Sequence, residues 1–398
     1  MDLPATMLQE KRNKVLLLTK WYPNKYDPQL GVFIQKQAKA ISQHSDITVF
    51  YAQAAQENSH STYEIVVNRT PGFTEYIVYY PKNTMFFSPL VHAFRYWKSW
   101  KKIWNLLIQE KNKPELIHAY ILLRPVLLAW WISIRENIPY VVSEQWSGYT
   151  NGRFQKKSWI VRKLSTLLAN RANGRTVVSQ FLKRNMLKSG FNEPLTVIPN
   201  IIDSHAAGIA PAKNHPSLMK KILVVADLVD DIKNISGILL AFQKIHGEFP
   251  NTELRIVGGG RDEAMLKELA GKLFAGRRVV LFEGLKSNSE VYNFLRECDF
   301  LIVNSRFETF SLICAEAMSC GKPVIATKCG GPEEFITEQT GILIPVNDEI
   351  KLIEAMRNML NQSIQFQSEF IKAYAIDHFS EEKASFLFKN VYAAAIEK

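Results

Sequence analysis

FLIVNSRFETFSLICAEAMSCGKPVIATKCGG, residues 300–331, decides the fold. FLIVNS is a buried-strand run. The spacing predicts a helix over Ser311–Ser319, closed by Gly321, and PVIAT is the next strand. Strand, helix, strand in so few residues is the unit of a parallel α/β sheet. Two carboxylates lie in it, Glu308 in the loop and Glu316 in the helix, with seven uncharged residues between them. The residues three and four positions from Glu316 are Leu312, Ile313, Ser319 and Cys320, so no cation on its own helix can pair with it. A carboxylate on an apolar helix face is costly unless something meets it, so an external ligand is expected there.

The same alternation runs outward in both directions. Before this stretch come KVLLLT (14–19), DITVFYA (46–52), EYIVYY (75–80), ELIHAY (115–120), PYVVS (139–143), RTVV (175–178) and LTVIP (195–199). Amphipathic patterns lie between most of them, at Val32–Ser42, Leu90–Gln109, Pro125–Arg135, Trp159–Asn170 and Ser179–Leu187. AAGIAPAKNHPS, from Ala206, has no period and reads as a linker. A second series follows: KILVVA (221–226), ELRIVG (253–258), RVVLFEG (278–284), FLIVNS, PVIAT and GILIP (341–345). The last segments are helical. The expectation is two Rossmann-like, doubly wound parallel domains facing a cleft, over 1–204 and 205–378, with a helix over 379–398 crossing back to the first domain. In such sheets ligands bind beyond the carboxyl ends of the strands.

Charge is uneven along the 398 residues. Through His205 there are 27 Lys and Arg against 13 Asp and Glu, a balance of +14; the rest has 22 against 25, or −3. A basic first half suits an anionic partner, such as a membrane surface or a phosphorylated substrate. No nucleic-acid reader motif accompanies it, so no nucleic acid is expected. The cysteines Cys298, Cys314, Cys320 and Cys329 form no C-x-x-C and read as small buried thiols of a reducing compartment. Residues 1–13 make a poor signal peptide, and Arg124 and Pro125 split the most apolar region, Leu116–Ile134, below spanning length. A cytoplasmic protein is expected. Phe87, Val91, Phe94, Trp97 and Trp104 fall on one helical stripe, and Arg95, Lys98 and Lys102 on another. That stripe suits either a membrane interface or packing on the first sheet.

Loops after strands carry the candidate chemistry. Lys233 follows the first strand of the second series, beside a helix start, where a cation suits a phosphate. The G-G-G run containing Gly259 lacks dinucleotide spacing, and Gly284 allows close backbone approach. Thr309, Phe310, Ser311 and Leu312 open the 311–319 helix, so their amides are free for an anion. Ser305 and Glu308 also fit a capping box.

At these residues the chain resembles the retaining family 4 glycosyltransferases, the group 1 enzymes of GT-B fold. Their signature E-x7-E stands in a context like S-x-x-E-x-F-G…E-A-M-A-x-G-x-P-V-x-A-T-x-x-G-G, which SRFETFSLICAEAMSCGKPVIATKCGG, Ser305–Gly331, resembles. VIPNIID (197–203), KNISGILLAF (233–242), VGGG, FEG, LIHAY and KWYPNKYDPQLGVFIQKQAKAIS (20–42) resemble the family's companion motifs, so the likeness covers nearly the whole chain. The resemblance implies a nucleoside-diphosphate sugar donor and a glycan or lipid-linked glycan acceptor, as in polysaccharide assembly at the inner face of a membrane. It implies that Glu316 holds the ribose, the amides of Phe310 to Leu312 the distal phosphate, and Glu308 the transferred sugar. It further implies that Lys233 neutralises the leaving diphosphate and that Gly31 lets a first-domain loop approach it. No D-x-D occurs, so no metal or other cofactor is expected. Two positions depart from the family: Asp227 where an Arg is usual, and Gln145 where a His often stands. They keep two alternatives open, a GT-B protein that binds a nucleotide sugar or partner without transfer, and a GT-B nucleotide-sugar epimerase.

Overall fold

The computed structural model describes residues 12–56, 62–82, 88–203, 208, 219–275 and 277–397. The expected boundary at 204/205 and most of the expected linker lie outside these residues, as do Phe86 and Phe87. The first sheet contains β1 (Asn13–Thr19), β2 (Ser45–Ala54), β3 (Glu64–Thr70), β4 (Phe73–Tyr80), β5 (Leu116–Tyr120), β6 (Tyr140–Glu144), β7 (Gly174–Val177) and β8 (Thr196–Val197). Its order is β3-β4-β2-β1-β5-β6-β7-β8. The second contains β9 (Lys220–Val225), β10 (Thr252–Val257), β11 (Val280–Gly284), β12 (Phe300–Val303), β13 (Val324–Thr327) and β14 (Gly341–Ile344), in the order β11-β10-β9-β12-β13-β14. All second-sheet pairs are parallel.

The first sheet corrects the all-parallel expectation. β3 pairs antiparallel with β4 at the edge. EIVVNRT is a half-exposed edge strand, so it shows neither a buried run nor a clean alternation.

Helices cover both faces, which is why β1 is apolar almost throughout. Its side chains still alternate. Leu16 and Leu18 enter one core layer with Phe50, Trp100 and Ile117; Val15 and Leu17 enter the other with Ile34, Phe388 and Tyr392. Phe388 and Tyr392 come from the last helix, Glu381–Ile396, which lies against the helix Val32–Ile41 of the first domain. There the Ser385 hydroxyl donates to the Ala40 carbonyl at 2.8 Å. Buried His118 in β5 lies between the Tyr392 hydroxyl at 2.7 Å and the Ser143 hydroxyl at 2.6 Å. Burial holds its imidazole neutral, with the pKa lowered to about 3.

The helix Ser88–Gln109 buries Tyr96, Trp100, Ile103 and Leu107. This is a different face from the stripe read in the sequence. Trp97 and Trp104 pack partly, on Trp131 and Trp100, while Phe94 is exposed.

Each sheet has one point where the chain reverses direction across it. In the first it lies between β1 and β5; in the second, between β9 and β12. These are the places where a doubly wound sheet opens a crevice.

Candidate active site

At the second switch point, β9 is followed by Ala226-Asp227 and β12 by Asn304-Ser305. The short helix Asp230–Lys233 then delivers Lys233 back across the crevice, ended by Asn234 in the left-handed region at φ 50°. Lys233 Nζ donates to Glu308 Oε1 at 2.6 Å, and the Ser305 hydroxyl donates to the same oxygen at 2.8 Å. That Ser305–Glu308 bond joins two side chains and is not a capping box. Burial works against the Lys233 ammonium, yet the charge and hydrogen bond of Glu308, helped by Asp227, outweigh it and hold the pKa above the ordinary lysine value.

The sequence left the other acidic residues here unplaced, and the structure turns both away from the crevice. The Asp230 carboxylate takes the Ser236 amide at 2.8 Å and hydroxyl at 2.6 Å, and Asp231 pairs with Arg261 on the exterior. Arg306, from the same loop as Glu308, donates to the Asp230 carbonyl at 2.7 Å and to Asn234 Oδ1 at 3.0 Å. It fixes the turn that carries Lys233. Sequence reading gave Arg306 no part. Asp227 itself is exposed.

The helix beyond Glu308 spans Leu312–Ser319, one residue later than expected. Ser311 precedes it with φ 72°, a left-handed conformation for a residue with a Cβ. Among the described residues, nothing in the chain accepts from the amides of Thr309, Phe310 or Ser311. The Phe310 ring sits in a cluster with Phe335 and Phe379, at 5.2 and 5.3 Å between centroids. The Gly330–Gly331 loop holds this backbone from the other side. A Cβ on Gly331 would stand 2.4 Å from Phe310 Cα. Gly284 ends β11 with open space beside it, and the Gly259 carbonyl accepts from the Leu228 amide at 3.0 Å.

Glu316 corrects the expectation of a carboxylate without an internal partner. Lys36, on the first-domain helix Val32–Ile41, donates to Glu316 Oε1 at 2.9 Å. Glu316 is buried and Lys36 half-buried, and Lys36 also lies 6.0 Å from the Tyr292 ring. Further bridges join the two domains. Gln29 Nε2 reaches the Lys286 carbonyl at 3.4 Å, and the Gln180 and Phe181 amides donate to the Glu334 carboxylate. All come from segments that follow strands, so the carboxyl ends of the two sheets face each other. Gly31, at φ 68°, starts the Lys36 helix. A Cβ there would stand 2.5 Å from the Trp21 carbonyl oxygen, so glycine is required by the loop's own packing.

The first switch point is built differently. Gln145 is buried and donates to Gln37 Oε1 at 3.0 Å; Gln37 in turn donates to Asn200 Oδ1 at 3.3 Å. It belongs to an interior polar chain. Its neighbour Glu144 lines the cavity instead, together with Lys20, Trp146, Tyr149 and Lys157. Glu144 accepts from the amides of Leu122, Gln145 and Trp146 at 3.1, 2.8 and 2.9 Å, and from the Tyr149 hydroxyl at 3.3 Å. Burial raises its pKa, and these four bonds oppose the rise. The β5 loop is strained here, with Ile121 at φ 67° and Leu123 at φ 91°. Each such residue costs roughly 1–3 kcal/mol, the kind of strain that gathers at ligand sites.

The family model described as "Glycosyl transferases group 1" matches residues 209–375, and that described as "Glycosyltransferase Family 4" matches residues 31–206. The chain belongs to the group 1 glycosyltransferases. A glycogen synthase of Mycobacterium tuberculosis is 25% identical over 260 residues, covering 63% of this chain and 61% of that protein. The chain thus spans about three-fifths of that relative's length. Among solved structures, a sucrose-phosphate synthase from Thermosynechococcus elongatus superposes with a TM-score of 0.73 at 17% identity, over 96% of this chain and 98% of that one. HepE of Anabaena, solved with UDP and glucose, gives 0.69 at 18%, over 96% and 100%. The fold of this glycosyltransferase is therefore GT-B. Among its described residues no acidic or His/Cys cluster could hold a metal ion, and no helix is long and apolar enough to cross a membrane.

Proposed function

We propose that the chain transfers a sugar, with retention of configuration, from a nucleoside diphosphate sugar to a hydroxyl of a glycan or lipid-linked glycan. The observation that carries this is the Lys233–Glu308 pair beside the open amides of Thr309 to Ser311, at the second switch point. Cleavage of a sugar–phosphate bond puts charge on the departing diphosphate. Lys233 and the amides stand ready to receive it, without a metal, and donors fixed before the reaction lower the barrier. Glu308 orients hydroxyls of the transferred sugar. Glu316 holds the ribose after exchanging Lys36 for it. The leaving phosphate takes the acceptor proton on the same face, so no protein base is needed there. Gln145 then acts by positioning the crevice through Gln37. Donor hydrolysis by the pure protein tests the reading. One nucleotide sugar among a panel should be cleaved, with the α or β anomer of the donor preserved in the transferred product; inversion would contradict it.

The acceptor side includes an anionic membrane surface, at the cytoplasmic face. Three first-domain helices, Ser88–Gln109, Arg124–Glu136 and Trp159–Asn170, pack on one side of the sheet. They expose Phe94, Ile134, Trp159, Ile160, Leu164 and Leu167 beside Arg135, Lys156 and Lys163. Apolar side chains among cations suit an interfacial helix face. Pelleting with anionic but not neutral vesicles is the expected result, and indifference to lipid charge would count against it.

A further inference from the structure

The two domains grip each other at a point that leads directly to Glu308. The first-domain helix Gln180–Lys188 follows β7, and its cap, Ser179, accepts from the Leu182 amide at 3.1 Å. The two amides before that one are taken by the Glu334 carboxylate of the second domain, Gln180 at 2.8 Å and Phe181 on the other oxygen. A carboxylate there meets both free donors and the positive end of the helix dipole. Beside this bond the Phe181 ring packs on Gly330. A Cβ on Gly330 would collide with that ring and with the Glu308 carbonyl oxygen.

Gly330 carries the contact onward. It forms a parallel bridge with Glu308. The Glu308 amide donates to the Cys329 carbonyl at 3.2 Å, and the Gly331 amide donates to the Glu308 carbonyl at 2.9 Å. Gly331 in turn lies against Phe310, and the Glu333 carboxylate takes the Gly330 amide at 2.9 Å. Glu308, Thr309, Phe310 and Ser311 thus lean on the loop 329–334, whose far end is held by the other domain. Phe335, next to Glu334, adds a second brace. Its ring lies 5.2 Å from Phe310 and 5.1 Å from Phe379. The Phe379 carbonyl accepts from the Ile202 amide at 3.1 Å, in the segment that follows the first sheet.

We propose that Glu334 is a positioning residue. By gripping the first-domain helix it sets, through Gly330 and Gly331, the backbone that presents Glu308 to the transferred sugar and the amides of Thr309 to Ser311 to the distal phosphate. The inference rests on the transferase reading only for what that backbone binds; the coupling between the domains stands apart from it. Glu334 itself touches no substrate. Its grip exists only while the domains are together, so the diphosphate seat is complete only in the closed cleft. Such coupling is reciprocal: a diphosphate that fixes the turn also tightens the grip on Gln180 and Phe181.

The test uses the full chain and two variants, Glu334→Gln and, from the other domain, Phe181→Ala. Glu334 is exposed, so its substitution leaves the core intact. Hydrogen exchange without any ligand reads the amides of Glu308 and Gly331. Each variant should speed their exchange about threefold or more, as expected for the loss of a charge at a helix end. A merely local cap would change only Gln180 and Phe181. Calorimetry with the di- and monophosphates of uridine, guanosine and adenosine reads the donor side. For the nucleoside that binds, the preference for diphosphate over monophosphate should fall about threefold or more in each variant. Monophosphate affinity should stay that of the parent, because only the diphosphate reaches the turn. Unchanged exchange at Glu308 and Gly331 in Glu334→Gln, or di- and monophosphate weakened by the same factor, overturns the proposal. A parent chain that binds none of the diphosphates, with exchange at Glu308 and Gly331 still raised in both variants, removes the donor reading and leaves the coupling standing.

Discussion

The two switch points share a topology and differ in how their charges are met. At β9/β12, cation and carboxylate meet each other: Lys233 with Glu308, and Glu316 with Lys36 from across the cleft. At β1/β5 a buried acid, Glu144, is held by three backbone amides and the Tyr149 hydroxyl, and it attracts Lys20 without forming an ion pair. One crevice thus meets its carboxylates with lysines, and the other holds its carboxylate on the backbone. A site of ion pairs must exchange partners when it binds. Such a site suits a ligand carrying both hydroxyls and phosphates.

The largest expected effect is at the balanced pair. Lys233→Ala should lower donor cleavage roughly a hundredfold or more, equivalent to about 3–4 kcal/mol of lost transition-state stabilisation. Glu308→Gln should reduce the rate more than it weakens nucleotide affinity. Initial rates set against calorimetric affinities separate the two, and equal losses in both would break the distinction between rate and binding roles.

The exchange at Glu316 is next. Lys36→Met leaves a buried carboxylate unpaired, so the ligand-free protein should lose roughly 3 kcal/mol in urea unfolding. The same change removes the competitor of the ribose. UDP should then bind several-fold tighter than to the parent chain. Weaker binding would mean that Lys36 contacts the nucleotide itself.

The first domain should also be the more sensitive to acid. Burial lowers the His118 pKa to about 3 in the fold, from an ordinary value of about 6.5. Protons therefore favour the unfolded chain below that value. The stability it supports is complete above about pH 6.5 and declines as pH falls toward 3, by up to about 1.4 kcal/mol per unit. Urea unfolding at pH 7 and pH 5 should differ by about 2 kcal/mol more in the parent than in His118→Gln. The smallest effect belongs to exposed Asp227. Asp227→Arg, which installs the cation usual in the family, should tighten donor binding by no more than about fivefold.

Much of this was legible along the chain. Buried runs placed the central strands within a residue or two, and the 300–331 stretch carried Glu308, Glu316 and the helix start together. β3 escaped because an edge strand with one wet face has no apolar signature. Lys36 escaped because it lies 280 residues from Glu316, and no periodicity reports a contact between domains. Lys20 and Lys157 of the first crevice come from separate loops and form no motif. At Glu144-Gln145 the resemblance drew the reading to the second residue, while the fold aims the first at the cavity. In the helix Ser88–Gln109 two apolar stripes compete, and only tertiary packing chose the one through Trp100.

The most direct test is thermal unfolding of the parent chain and of Glu316→Ala in the presence of a panel of nucleotide sugars. The account predicts that at least one donor, at 100 times its dissociation constant, stabilises the parent by about 2.7 kcal/mol and leaves Glu316→Ala unshifted. No shift of the parent with any donor, or an equal shift in the variant, would contradict it.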